Sequence, residues 1–123
     1  MTLMEAINHL DAVKPNGYKQ NEKIRWLSTL DGIVKKEIID THEGGEKVIF
    51  GGYTEADLTK TLIVPAPYDD IYIKWLEAQI DYANGETQKY NNSLTLYNNA
   101  YLTFAKAYHR EHRPINTAKF TNF

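Results

Sequence analysis

The chain has 123 residues, 42% of them apolar and 12% aromatic, with nine tyrosines, no cysteine and a net charge of −2. That length makes one domain, and the lack of cysteine excludes disulfide frameworks and thiolate metal sites and fits a cytosolic setting. The small net charge gives no global attraction to nucleic acid, and the short apolar runs predict neither an export signal nor a membrane span.

The first helix is expected after Thr2-Leu3-Met4-Glu5, which has the form of a capping box. It continues to Val13 with Leu3, Ile7 and Leu10 on one side, and Lys14-Pro15-Asn16-Gly17 stops it. A second helix is expected from Gln20 to Asp40, where Ile24, Leu27, Leu30, Val34 and Ile38 recur at steps of three and four. Gly32 lies inside it, costs about 1 kcal/mol against alanine, and leaves room for a close approach.

Residues 41–66 break the periodicity. Gly44-Gly45 and Gly51-Gly52 bracket Lys47-Val48-Ile49-Phe50, and Thr61-Leu62-Ile63-Val64 is a second β-branched run. Two such runs bounded by glycine and proline predict a short β-hairpin or extended arm. Pro65-Ala66-Pro67 then opens a third helix, with Asp69 and Asp70 at the positive end of its dipole and Asn84-Gly85 at its end. Tyr68, Tyr72, Trp75, Gln79 and Tyr82 form one stripe on this helix.

The fourth helix is expected from Glu86 to Glu111. It carries Tyr90, Leu94, Tyr97, Tyr101, Phe104 and Tyr108 at helical spacing, with Asn91, Asn92, Asn98 and Asn99 in the gaps instead of charge. The two aromatic stripes are out of step by one residue at Gly85, as two helices joined by a tight corner would be. They are therefore expected to fold back and pack their rings on each other and on the second helix. That assigns most of the aromatic stripe to the core, and leaves its ends and the Asn-rich flank for partners. The fold class is mainly α: a bundle of four helices spanning residues 1–113, with an inserted arm at 41–66 and a flexible tail at 114–123.

No assembled active site is legible. His109 and His112 lie three apart, but a zinc site needs a third ligand and Glu111 points elsewhere, so both are read as complements to the helix dipole. Asp69 and Asp70, being adjacent, face different ways and cap a helix. No phosphate-cradling glycine loop and no nucleophile elbow occurs, so no enzyme, cofactor or metal is expected. The end of the chain is basic: Lys106, Arg110, Arg113 and Lys119 against Glu111 alone give a local +3, leaving −5 on the remainder.

Three segments carry a resemblance. They are Ile24-Arg25-Trp26-Leu27-Ser28-Thr29-Leu30-Asp31-Gly32 running into Ile38–Gly44, then Val64-Pro65-Ala66-Pro67-Tyr68-Asp69-Asp70-Ile71-Tyr72 with Trp75–Asp81, and Tyr90-Asn91-Asn92-Ser93 with Tyr97, Asn98 and Tyr101. Together they resemble small structural proteins encoded beside capsid and portal genes in phages and prophages of Gram-positive bacteria. In size and helical layout they look most like the head–tail connector family (adaptor, or head-completion proteins).

That resemblance implies a helical subunit that forms a ring on the portal protein after DNA packaging and presents a surface to a stopper or tail-completion protein. It implies a place in the virion neck, reached from the host cytoplasm, with DNA passing through and no membrane contact. The expected interface residues are His42, Glu43, Val48, Phe50, Tyr53 and Leu62 on the arm, Arg110 and Arg113 on the last helix, and Phe120 and Phe123 on the tail. The rival readings are another neck or tail-completion protein and a small helical nucleic-acid-binding or regulatory protein using the basic tail.

Overall fold

The computed structural model describes residues 1–115. Four α-helices make the bundle: α1 (Leu3–Val13), α2 (Gln20–Val34), α3 (Ile71–Ala83) and α4 (Thr87–Glu111). The mainly helical architecture expected from periodicity is the architecture found.

α1 starts where the capping box places it. Thr2 Oγ1 accepts from the Glu5 amide at 3.1 Å, and Glu5 Oε1 accepts from the Thr2 amide at 2.9 Å. Two further amides of its first turn are satisfied from far along the chain, Leu3 by the Lys60 carbonyl and Met4 by the Leu58 carbonyl, both at 3.0 Å. Leu3, Ile7 and Leu10 are buried, as their spacing requires.

The second helix is not uniform. After Val34 it widens into a π-helical turn over Lys35–Ile39, and the Asp40 amide reaches back five residues to the Lys35 carbonyl at 2.8 Å. Ile38 and Ile39 are both buried across this turn. The extra residue per turn changes which side chains face α4.

α3 begins at Ile71, later than the prolines suggest, because Tyr68–Asp70 are spent on a turn after a cis Ala66–Pro67 peptide. α3 and α4 are joined at Gly85, whose φ of +72° lies in the left-handed region. They pack antiparallel through aromatic pairs: Tyr82 with Tyr90, Trp75 with Tyr97 and Tyr68 with Phe104, at centroid distances of 5.3, 4.9 and 5.9 Å. Each step of seven back from Tyr82, through Trp75 on α3 to Tyr68 in the turn before it, is matched by a step of seven forward along α4. The Trp75 indole also donates to the Trp26 carbonyl at 2.8 Å, tying the hairpin to α2.

The arm is the main correction. Among the described residues there is no strand; 3₁₀ turns at Gly45–Lys47 and Glu55–Asp57 interrupt the segment, and its pairing is confined to isolated bridges, Thr2 with Thr61 and His42 with Pro114. Leu62 and Val64 are core residues, 3% and 0% exposed. Gly32 is approached by this segment and not by a helix: the Phe50 ring lies 3.8 Å from where a Cβ would stand. The β-branched runs are thus a strap laid over the bundle, with Leu62 and Val64 set into its core.

A buried carboxylate holds the strap. Asp31 on α2 is fully buried; its Oδ1 accepts from the Tyr72 hydroxyl at 2.6 Å, and its Oδ2 accepts from the Ile63 amide at 3.1 Å and from the Tyr53 hydroxyl. The Tyr72 hydroxyl in turn accepts from the Val64 amide at 2.7 Å. A second buried carboxylate, Asp81 on α3, pairs with the Lys14 ammonium at 2.6 Å and accepts from the Ser93 hydroxyl at 2.6 Å. It joins the end of α1 to α4.

Candidate interaction surface

The residues expected at an interface do not fall together. Leu62 and Tyr53 serve the monomer, the first in the core and the second on Asp31. Val48 and Phe50 are half-buried, with the Phe50 ring 4.8 Å from that of Tyr53. Glu43, Arg110 and Arg113 are exposed, while Phe120 and Phe123 lie outside the described residues.

His42 is 7% exposed and belongs to a clasp. The Glu43 amide donates to the Arg113 carbonyl at 2.7 Å and the Ile115 amide to the Thr41 carbonyl at 3.0 Å, a two-bond antiparallel ladder. The start of the expected tail is therefore pinned, Pro114 and Ile115 included, and the remainder of that expectation lies outside the described residues. Below the ladder, His42 Nδ1 donates to the Ile38 carbonyl at 2.6 Å. A carbonyl can only accept, so Nδ1 carries a proton, and Nε2 faces His109 Nδ1 3.0 Å away.

His109 and His112 diverge. His109 turns to His42, whereas His112 stacks flat on Tyr108 at 3.7 Å. Among the described residues no group of three or more His, Asp or Glu side chains is arranged to hold a metal ion. No described helix is long and apolar enough to cross a membrane.

Three side chains of α4 make polar ties to other elements: Ser93 to Asp81, His109 to His42, and Tyr101 to Glu37. The Tyr101 hydroxyl donates to Glu37 Oε1 at 2.6 Å, linking α4 to the π turn, and burial together with the Glu37 charge raises its pKa. Tyr97 is pushed up to about 12, first by burial and then by the same carboxylate. Replacing Tyr101 with phenylalanine is expected to cost about 0.5–1 kcal/mol, the worth of one hydrogen bond near the surface, measurable by urea denaturation.

What α4 turns outward is unusual for a surface helix. From Tyr90 to Ala105 no residue carries a charge, and Asn91, Asn92, Thr95, Leu96, Asn98, Asn99, Leu102 and Thr103 are exposed along it. Interface cores are depleted of charge in this way, while solvated helix faces usually carry Lys and Glu. Beside it, between α4 and the π turn, lies an open groove of about 490 Å³, floored by Ile38, Leu102 and Ala105 and edged by Glu37, Lys106 and Arg110.

Asp31 and the groove were not among the expected sites. Asp31 had a signal: it falls four residues after Leu27 and three before Val34, a carboxylate in register with the apolar stripe. The groove had none, because it depends on the π turn. No protein-family model matches the chain, and searches of curated proteins and of solved structures find no match either.

Proposed function

We propose that this protein is a structural subunit of a phage neck, a head–tail connector that sits as a ring on the portal protein and joins head to tail. The observation that carries the reading is the uncharged outer face of α4, which resembles the charge-depleted core of a protein interface. The three segments that resemble connector proteins run through α2, α3 and α4 and supply the side chains that pack these helices together. The partners in this reading are the portal, neighbouring copies and a stopper or tail-completion protein, with DNA passing through unread and the virion neck as the place of action.

Electron microscopy of the protein mixed with its cognate portal tests this. An added ring of density at the tail-side end of the portal is the expected result. A bare portal, or salt-sensitive binding of the protein to DNA in its place, would overturn the reading in favour of a helical nucleic-acid-binding protein.

A further inference from the structure

Ile49 is 91% exposed, the most exposed of the large apolar side chains on the described surface. Its neighbours explain how it is held there. Val48 and Phe50 are both half-buried; Val48 packs on the core and Phe50 against Tyr53 and the bare backbone of Gly32. In an extended segment alternate side chains point to opposite sides, so anchoring residues 48 and 50 drives residue 49 outward. The bundle holds a single apolar knob on a fastened strap.

The groove between α4 and the π turn is a receptor of matching character. Its floor is Ile38, Leu102 and Ala105, with Leu102 52% exposed. The charges around the two features are complementary. Glu46 and Lys47 are exposed just before the knob, and Lys106 and Arg110 together with Glu37 edge the groove. Glu46 carries the sign opposite to Lys106 and Arg110, and Lys47 the sign opposite to Glu37.

The two features lie on opposite flanks of α4. Val48 lines a cavity with Phe104, Ala107 and Tyr108, whereas the groove is lined by Leu102, Ala105 and Lys106. Those α4 positions differ by two residues, about 200° around a helix. We infer that Ile49 of one copy inserts into the α4 groove of a second copy of this chain, a head-to-tail contact. Two different patches meeting in this way repeat, and they close into a ring or run on as a filament. The inference rests on the neck reading only for closure into a ring.

Cross-linking tests it cleanly because the chain has no cysteine of its own. The variants Ile49→Cys and Leu102→Cys alter exposed side chains, and a circular dichroism melt equal to that of the parent establishes that they fold. Mixed at millimolar concentration with a short bismaleimide, they are expected to give the 49–102 heterodimer about tenfold faster than either homodimer, a preference worth about 1.4 kcal/mol. The doubly substituted chain is expected to give a ladder of oligomers, and Val13→Cys, exposed on α1, should yield only the collisional background when paired with Ile49→Cys. Heterodimer no faster than the homodimers, or no faster than the Val13 control, overturns the contact. A ladder with a bare portal in the microscope would retire the neck reading and leave the contact standing; a portal-bound ring with no 49–102 preference would do the reverse.

Discussion

Replacing Asp31 with alanine is expected to cost about 3 kcal/mol or more and to lower the unfolding midpoint by about 10 °C, the largest single-residue effect on the strap. The carboxylate satisfies three donors at once: the Ile63 amide and the hydroxyls of Tyr53 and Tyr72. Without it the first two lose the acceptor they share, and Tyr72 keeps only the bond it accepts from Val64. Each buried donor left unsatisfied costs about 1–3 kcal/mol. Asp31→Asn should fall between parent and alanine, since one amide oxygen can still serve Tyr53 and Ile63 but its NH₂ cannot accept from Tyr72. Tyr72→Phe should cost more than Tyr53→Phe, because it also orphans the Val64 amide. Chemical denaturation of the four variants checks the order; an Asp31→Ala variant as stable as Tyr53→Phe would show that the network does not hold the strap.

The same residue fixes a pH dependence. Burial raises the Asp31 pKa, and the hydrogen bonds from Tyr53, Tyr72 and Ile63 oppose that rise without cancelling it. The folded protein therefore holds this proton more tightly than the unfolded chain does. Between the ordinary carboxylate pKa and the raised one, the folded state binds more protons, so this group's contribution to stability falls as pH rises through that window. The difference in unfolding free energy between the parent and Asp31→Asn should shift in the parent's favour as the medium is acidified across it.

The network also explains what the sequence made legible. Elements fixed by neighbours in the chain were readable: the Thr2–Glu5 capping box, the stripes of α3 and α4, and the corner at Gly85, where a one-residue slip pointed to two helices folded back with their rings packed together. The strap was not, because its conformation is set from a distance. Thr61-Leu62-Ile63-Val64 has the composition of a strand, yet its amides bond to Met1, Asp31 and Tyr72 and not to a neighbouring strand. The π turn was equally hidden, since Val34, Ile38 and Ile39 satisfy a regular helical stripe as well as a widened one. With it went the α4 groove. The exposed face of α4 was visible in outline, because asparagine in place of charge is a property of the sequence itself.

Substituting alanine at Gly45 is expected to cost about 2–3 kcal/mol, against roughly 1 kcal/mol at the adjacent Gly44, for different physical reasons. Gly44 has a φ of +85° with open space around it, so a methyl group there meets only left-handed backbone strain. A Cβ on Gly45 would stand 2.3 Å from the Ile39 carbonyl oxygen, 3.0 Å from its carbon and 3.1 Å from the Asp40 Cα. Every one of those atoms is backbone at the end of the π turn, so no side chain can swing aside and the loop itself must retreat. Retreat would strain the bonds that the Gly45 carbonyl accepts from the Lys35 ammonium and the Val48 amide, at 2.9 and 3.0 Å. It would also draw on residues 41–43, which clasp Arg113 and Ile115 and carry His42 to His109. Hydrogen exchange separates this from general destabilisation: the Glu43 and Ile115 amides should lose protection in Gly45→Ala before the amides of α1 do. Uniform loss across both sets, or a Gly45→Ala variant no less stable than Gly44→Ala, would mean that the close approach does not set the position of the clasp. Loss confined to the clasp would place that control in the half-turn between Asp40 and Gly45, where the π turn meets the strap.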